Sequence, residues 1–251
     1  MNETLQTLYR RKSVRVFEDR PVPEDVRQTI LRAAFEAPTA GNQMLYTILD
    51  ITDPALKARL AVTCDHQHFI AAAPIVLIFL ADARRWPRLY ALAGESPRPA
   101  GPGDLMLAVA DACIAAQNAV VAAESLGLGS CYIGDILENC EEHRRMLNLP
   151  AHLMPAAMLV MGYPTQSQKD RVKPARFDNK YIVFENRFRD LTDDELREMW
   201  VSQERAEGMA SARSFEESVR AFCTRKYMSD FSREMSRSAS VYLRDFELHP
   251  E

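Results

Sequence analysis

A basic cluster near the N-terminus contains residue types that can bind an anion. Arg11, Ser13 and Arg15 alternate along a segment that is predicted to be extended, and alternate side chains of an extended segment point to one side. Two guanidinium groups and a hydroxyl group on one side can bind a phosphate or a carboxylate. Lys173 and Arg176, in a second basic segment, can complete such a site. Each cluster alone is explained by a solvated basic surface, but together they suggest a phosphate monoester.

The motifs of several common enzyme classes are absent from the sequence. It contains no Gly-x-Ser-x-Gly, His-Glu-x-x-His, Gly-x-x-x-x-Gly-Lys-Ser/Thr or Gly-x-Gly-x-x-Gly segment, which disfavours α/β-hydrolases, zincins, P-loop enzymes and standard Rossmann dehydrogenases. Cys64, His66 and His68 resemble a metal cluster, but their spacing matches no strong zinc pattern. Cys140 with His143 is an equally weak signal. We therefore expect no metal site.

Composition narrows the choice of protein class. Of the 251 residues, 47% are apolar and 26% are charged, which is ordinary for a globular protein. Thirty-one Lys and Arg against 35 Asp and Glu give a net charge of −4, so no overall positive field attracts nucleic acid or an anionic membrane. The wholly apolar run that contains residues 71–81 spans only residues 69–81 and is too short to cross a bilayer. Five dispersed cysteines favour a reducing compartment, and we expect a cytoplasmic protein.

A few strongly patterned segments must position the basic residues. A helix is predicted to begin near Pro23 and to end near Pro38, where a loop follows. Strands are predicted over residues 47–51, 74–80, 130–133 and 154–161, and residues 74–80 are expected to form a central strand covered on both faces. Strands separated by helices predict an α/β domain, or α+β if the sheet is mixed.

Residues 105–126 predict a helix that is apolar around its whole circumference. Such a helix must be buried on all sides, and a chain of this size suggests that a second copy supplies part of the cover. Burial within one subunit is the alternative. Before this helix, residues 84–103 are rich in Pro, Gly and Arg and are interpreted as a surface excursion or a lid.

Four motifs, in order, resemble those of the nitroreductase family of FMN-dependent oxidoreductases. They are Arg11-Lys12-Ser13-Val14-Arg15-Val16-Phe17, Ala34-Phe35-Glu36-Ala37-Pro38-Thr39-Ala40-Gly41-Asn42, Gly127-Leu128-Gly129-Ser130-Cys131-Tyr132-Ile133-Gly134, and Gly162-Tyr163-Pro164 with Lys173-Pro174-Ala175-Arg176. The resemblance implies a mixed central sheet sandwiched by helices in an intertwined homodimer, with FMN at the subunit interface. It divides the chain into an FMN-binding domain, residues 1–190, and a helical extension, residues 191–251, that packs on the partner subunit.

The resemblance also implies a set of cofactor-binding residues. These are Arg11, Lys12, Ser13, Arg15, Pro38, Thr39, Ala40, Asn42, Gln67, Tyr132, Ile133, Gly134, Asp135, Lys173 and Arg176. The basic residues and Ser13 would hold the phosphate and ribityl chain, with Lys12 or Arg15 beside N1 and O2 of the flavin. Residues 38–42 would reach the flavin of the other subunit, and residues 132–135 would line the ring. Lys169 or Arg171 can replace Arg176 at the phosphate.

The activity implied by the resemblance is hydride transfer from NADH or NADPH, through flavin N5, to an electron-poor acceptor such as a nitroaromatic or a quinone. Turnover would be ping-pong, and no catalytic side chain is expected because the flavin carries the chemistry. Two alternatives stay open: a protein that binds or sequesters FMN without turnover, and a flavin-dependent dehydrogenase that uses oxygen. In the C-terminal segment, Arg225, Lys226, Arg233 and Arg237 are candidates for binding the 2′-phosphate of NADPH.

Overall fold

The computed structural model describes residues 1–208 and 213–247. It divides into two compact units, the first made of Met1–Arg171 with Arg233–Glu251 and the second of Val172–Ser232. The boundary between the compact units lies at residue 171, whereas the sequence predicts a division at residue 190. Residues 172–190, which follow the last strand, belong to the second unit. Compact units and family domains need not coincide, so the division at residue 190 stays a prediction.

The first unit is built on a four-stranded sheet with the order β1-β2-β4-β3. The strands are β1 (Tyr46–Asp50), β2 (Ile75–Asp82), β3 (Gly129–Ile133) and β4 (Leu153–Gly162), which confirms the four predicted strands. Their pairings are antiparallel. An isolated parallel bridge between Ser13 and Ser130 adds the parallel component. The fold is α/β of the α+β kind, and its four named strands form an antiparallel sheet.

Helices surround this sheet and form the second unit. They are α1 (Glu3–Arg10), α2 (Glu24–Phe35), α3 (Pro54–Thr63), α4 (Phe69–Ala72), α5 (Arg85–Leu92), α6 (Pro102–Ser125), α7 (Cys140–Met146), α8 (Gln166–Asp170), α9 (Asp193–Ala206), α10 (Phe215–Lys226) and α11 (Asp230–Leu243). Helix α2 starts after Pro23 with two acidic residues in its first turn, and it ends before Pro38 as predicted.

Strand β2 is the centre of the sheet and is buried along its whole length, which confirms the prediction for this segment. Leu77 and Phe79 point into the core shared with α2 and α6, whereas Ile78 and Leu80 point into the core shared with α3. Side chains alternate between the two faces of a strand, so a strand covered on both faces is apolar along residues 75–81, and its one polar residue is the terminal Asp82. The sheet is therefore sandwiched between two layers of helix.

Helix α6 is the core helix on one side of the sheet. By length and composition it is the one helix in the described part of the chain that could cross a membrane, a test that a buried core helix also passes. Its buried face is mostly alanine. On its opposite face, four apolar residues are exposed to solvent: Met106, Ala110, Cys113 and Ile114. Met106 is 69% exposed. One subunit therefore covers only part of the apolar circumference predicted for this helix.

The second unit contains α9 and α10. Both begin with capping boxes, Thr192 with Glu195 and Ser214 with Glu217, which satisfy backbone N–H groups in the first turn. The Trp200 Nε1 group donates to Ser218 Oγ at 2.6 Å, which ties the two helices together.

Candidate functional site

The N-terminal basic segment is attached to the start of strand β3. The backbone nitrogen of Val14 donates to the Ser130 carbonyl oxygen at 2.9 Å, and the Val14 side chain is buried. A Cβ atom at Gly129 would lie 2.4 Å from Val14 Cγ2. Glycine at position 129 thus permits the close approach that places residues 11–15 beside the strand leading to Tyr132.

Arg11 and Tyr132, from two separate motifs, are brought together by this attachment. Burial, with a smaller contribution from Cys113, raises the pKa of Tyr132 to about 12, while the positive charge of Arg11 opposes the rise. Arg11 Nε and Ser130 Oγ are buried and have no hydrogen-bond partner among residues 1–208 and 213–247. An unpaired guanidinium N–H group in a buried position is costly unless an acceptor is provided. The site therefore has an unmet requirement for an acceptor such as phosphate.

Lys12 has a structural role in this segment. Its ammonium group donates to the Lys169 carbonyl oxygen at 2.6 Å and also to the Arg171 carbonyl oxygen. In return, Arg171 Nη2 donates to the Ser13 carbonyl oxygen at 3.0 Å. Lys12 thus holds the C-terminal end of α8 beside the basic segment, a role that the sequence did not indicate.

The two alternative phosphate ligands lie next to the same segment. The Lys169 ammonium group forms an ion pair with Glu18 at 3.1 Å, and Arg171 is the residue that contacts the backbone of Ser13. Gln168 Oε1 accepts a hydrogen bond from the Arg15 backbone nitrogen at 3.2 Å. Arg15 itself is exposed to solvent.

The loop of residues 38–45, which contains the residues 38–42 predicted to reach the flavin, is built around the carboxylate of Asp111. This side chain of α6 is only 3% exposed. It accepts a hydrogen bond from the Thr39 hydroxyl group, one from the Ala40 backbone nitrogen at 3.0 Å and one from the Leu45 backbone nitrogen at 3.2 Å. Of the predicted residues, Thr39 and Ala40 are therefore held directly by one buried acid that was not predicted from the sequence.

The backbone of this loop is left-handed at several positions. Gly41 has φ 57°, and Asn42 and Met44 have φ 59° and 50°. Non-glycine residues rarely adopt this region, and when they do, surrounding contacts hold them there. Here the Met44 backbone nitrogen donates to Thr39 Oγ1 at 2.7 Å. The loop has one defined shape, which suits a surface that must fit a ligand.

The loop is also buttressed by the first turn of α5. Arg85 donates to the carbonyl oxygens of Met44 and Tyr46, both at 3.0 Å, and Trp86 Nε1 donates to the Gln43 carbonyl oxygen at 2.9 Å. The beginning of the segment 84–103, interpreted as a surface excursion or a lid, is therefore fixed to the loop. A cavity of about 330 Å³ lies between them, lined by residues that include Gln43, Trp86 and Tyr90.

Gln67 and Asp135, which were predicted from different parts of the chain, are in direct contact. Gln67 Nε2 donates to Asp135 Oδ2 at 2.7 Å and to the Cys64 carbonyl oxygen at 3.0 Å. Asp135 lies in the 3₁₀ turn Gly134–Leu137, directly after β3. Ile133 is buried at the end of that strand. The turn and the Gln67 amide therefore form one surface.

This turn is fixed from behind by a buried polar network. Asn139, with φ 49°, donates from its backbone to Glu234 Oε1 at 3.1 Å and from Nδ2 to the Thr63 carbonyl oxygen at 2.8 Å. His143 Nε2 lies 2.8 Å from Thr63 Oγ1, and burial lowers the pKa of His143. His143 is therefore a core residue. No group of three or more metal-ligand side chains occurs in the part of the chain described.

Lys173 and Arg176 belong to the second unit. Arg176 lines a cavity of about 840 Å³ within that unit, together with Arg225 and the aromatic rings of Trp200 and Phe222. Of the other candidates for the NADPH phosphate, Arg237 is engaged by Glu141 and Glu234 through bonds of 2.8–2.9 Å.

The chain is similar to proteins of known activity over most of its length. It is 31% identical over 196 residues to the FMN reductase (NADPH) of Bacillus subtilis, covering 77% of this chain and 78% of that protein. It is 32% identical over 212 residues to the oxygen-insensitive NADPH nitroreductase of Salmonella typhimurium, covering 81% and 85%. The structure of NfrA2 from Bacillus megaterium superimposes with a TM-score of 0.83 at 26% identity, covering 100% of both chains.

The Nitroreductase family profile matches residues 8–163. This range includes the basic segment, the Asp111-anchored loop, Gln67 and the turn after β3. The match covers the first three motifs completely, and together with the two relatives it shows that the chain belongs to the nitroreductase family.

Proposed function

We propose that the protein is an FMN-dependent oxidoreductase that uses NADH or NADPH to reduce an electron-poor small molecule. The names of its relatives, an NADPH-dependent FMN reductase and an NADPH nitroreductase, support the cofactor and the reductant. The observation that carries the proposal is the buried, unpaired Arg11 Nε beside Ser13 and β3. The phosphate of FMN is the acceptor that this group requires.

The residues present fit FMN at both of its ends. Arg11, Ser13 and Arg15 would bind the phosphate and ribityl chain, and we assign Lys173 and Arg176 to the same end. Gln67 and the backbone of residues 133–135 offer polar groups to the flavin ring. When bound, FMN supplies the N5 atom that takes hydride from the nicotinamide and delivers it to the acceptor.

The chain's own residues bind and orient the reactants, and no side chain needs to act as nucleophile. Lys12 keeps residues 169–171 beside the phosphate end. Asp111 keeps the loop 38–45 in one shape. We propose a ping-pong reaction, in which the oxidised nicotinamide leaves before a nitroaromatic, a quinone or a similar acceptor enters the same place.

The active form is proposed to be a homodimer in the cytoplasm. The apolar stripe of α6, defined by Met106, Ala110, Cys113 and Ile114, is exposed in the single chain, and a second copy would cover it. Residues 38–42 would then contribute to the partner's flavin site. The five cysteines are free thiols, as expected in a reducing compartment.

A visible spectrum of the purified protein, before and after addition of NADPH without oxygen, tests the activity. We expect a yellow protein that NADPH or NADH bleaches, and that a nitroaromatic or quinone re-oxidises. A colourless protein that takes up no added FMN would refute the proposal. A protein that binds FMN but stays oxidised is a sequestering module, and one that is reduced by an organic substrate and re-oxidised only by oxygen is a dehydrogenase.

A further inference from the structure

Glu138 is a buried acid that FMN binding, as proposed above, does not use. Its side chain is 5% exposed, and its backbone nitrogen donates to the Asp135 carbonyl oxygen at 3.0 Å within the turn after β3. Its Oε1 atom is buried and has no hydrogen-bond partner in the described ranges. A buried, incompletely paired carboxyl group is retained at a cost in free energy, so its neighbours indicate what it does.

The charged groups that face Glu138 are mostly acidic. Asp135 lies in the same turn, Asp65 follows α3, and Glu234 projects from α11. Glu234 is itself paired with Arg237 at 2.8 Å. The pKa of Glu138 is raised to about 8. Burial is the largest cause, followed by a side-chain hydrogen bond to Asp135 and by the negative charges of the acidic neighbours. At neutral pH, Glu138 therefore carries a proton.

The Gln67 amide has only one orientation that satisfies its neighbours. Its NH2 group faces two acceptors, the Cys64 carbonyl oxygen at 3.0 Å and Asp135 Oδ2 at 2.7 Å. Turning the amide over would bring its oxygen against these acceptors and lose both hydrogen bonds. With both N–H groups occupied, Gln67 has only its oxygen left to offer to a ligand.

We propose that Glu138 is a positioning residue whose proton is shared with Asp135, and that this pair fixes the Gln67 amide so that its oxygen accepts the N3–H group of the flavin. The inference rests on the proposed function. The pyrimidine edge of a flavin has one donor, N3–H, between two acceptors, O2 and O4. A fixed acceptor oxygen on the protein can pair only with the N3–H donor, which lies between O2 and O4.

Loss of the Glu138 proton would place two adjacent carboxylates in a buried site, with Asp65 and Glu234 close by. Like charges in such a site repel one another, so Asp135 would shift and release the Gln67 amide. FMN affinity should therefore decrease as the pH rises through the titration of Glu138. Glutamine at position 138 has the shape of the protonated acid and keeps its donor at every pH.

The test is FMN affinity, measured by quenching of flavin fluorescence between pH 6.5 and 9. We expect the wild type to lose about tenfold in affinity, the size of one hydrogen bond between neutral groups. Glu138→Gln should keep, at every pH, the high FMN affinity that the wild type has at pH 6.5. Glu95→Gln, the same substitution at an exposed position, should show the pH dependence of the wild type. A pH-independent wild type, or a Glu138→Gln variant with the wild-type profile, would overturn the proposal.

A flavin analogue tests the hydrogen-bond direction separately. N3-methyl FMN has no donor at N3, and at pH 6.5 the wild type should bind it about tenfold more weakly than FMN. Gln67→Ala should bind the two equally. Equal binding by the wild type would contradict the assigned amide orientation.

The apoprotein distinguishes failure of this inference from failure of the proposed function. If FMN binds to no variant at any pH, the proposed function is wrong. The proton on Glu138 is still tested by the pH dependence of unfolding of the apoprotein, because only the wild type contains the titrating group. Identical pH dependence in the wild type and Glu138→Gln would then refute it.

Discussion

The Thr39 hydroxyl group donates a hydrogen bond to the buried carboxylate of Asp111, although 72 positions separate the two residues. The same carboxylate accepts from the backbone nitrogens of Ala40 and Leu45. Three donors of one loop thus depend on one acid in the core helix α6. The shape of the loop is determined by α6 as much as by its own sequence.

Replacement of Asp111 by alanine should destabilise the apoprotein. It leaves the Thr39 hydroxyl group and two backbone N–H groups without their acceptor, which we expect to lower the free energy of unfolding by about 2–4 kcal/mol. Urea denaturation measures this change. Asp53→Ala removes an exposed acid that caps α3 and should cost about 1 kcal/mol. Equal losses in the two variants would show that Asp111 does not anchor the loop.

Asp111 also shows what the sequence analysis overlooked. Asp111 is the one charged residue between Leu105 and Ala123, and a charge within an apolar helix signals a buried, paired group. The prediction for residues 105–126 rested only on the apolar character of the helix. Glu138 has no comparable signal, because it follows a turn in a polar segment where an exposed acid is ordinary.

The strands and the core helix were predictable because their patterns are local. Residues 74–80 contain no polar side chain, and a run this short and rich in β-branched and aromatic residues favours a strand covered on both faces. The role of Lys12 was not predictable, because its partners are backbone carbonyl oxygens of residues 169 and 171. Every residue has such a carbonyl group, so no sequence pattern identifies the ones that a lysine binds.

Arg11→Ala should weaken FMN binding because it removes the guanidinium group whose buried Nε atom lacks an acceptor. One charge-assisted hydrogen bond is worth about 1.5–3 kcal/mol, which corresponds to roughly a 10- to 100-fold increase in Kd. Fluorescence titration of the apoprotein with FMN measures it. The matched control is Arg10→Ala, at the neighbouring exposed position at the end of α1. Equal Kd values for the two variants would refute the assignment of Arg11.

Met106→Lys should dissociate the proposed homodimer. Met106 is 69% exposed on α6, so the change should not disturb the fold of one subunit. Burial of one methionine side chain stabilises a complex by about 1.5 kcal/mol or more. A twofold dimer buries Met106 from each subunit, so we expect the dimer dissociation constant to rise by about 100-fold. Light scattering during gel filtration measures the mass.

Leu92→Lys is the control for this experiment, because Leu92 is 86% exposed on α5 and lies outside the α6 stripe. It should leave the mass unchanged. If the flavin site lies at the subunit interface, FMN affinity of Met106→Lys should fall with dilution of the protein. A wild type that is monomeric at micromolar concentration would contradict the dimer.

The stability of the apoprotein should depend on pH through Glu138. The pKa of Glu138 is about 8 in the folded protein and about 4.3 in an unfolded chain. Between these values the folded protein binds more protons, so its stability decreases as pH rises, by at most about 1.4 kcal/mol for each pH unit. The contribution is fully present at low pH and is lost once the pH passes 8.

Glu138→Gln lacks this titration. The difference in unfolding free energy, variant minus wild type, should increase from pH 5 to pH 8 and stay constant above pH 8. Urea titrations at several pH values measure it. A difference that does not change with pH would mean that Glu138 is ionised throughout.

Arg225→Ala should weaken the use of NADPH more than that of NADH. Arg225 and Arg176 line one cavity of about 840 Å³ together with Trp200 and Phe222, and an arginine is suited to the 2′-phosphate that only NADPH carries. We expect the KM for NADPH to rise about tenfold or more and that for NADH to stay unchanged. Arg220→Ala, at an exposed position of α10 outside the cavity lining, is the control.

Arg176→Ala then tests whether Arg176 binds the phosphate of FMN or the 2′-phosphate of NADPH. Arg176 was assigned to FMN from its motif, yet it lines the same cavity as Arg225. If it binds the FMN phosphate, the variant should lose FMN affinity and keep its ratio of NADPH to NADH use. If the variant instead keeps FMN and loses NADPH preference, Arg176 serves the reductant and not the FMN phosphate. Measuring both quantities on the same preparation decides between these roles.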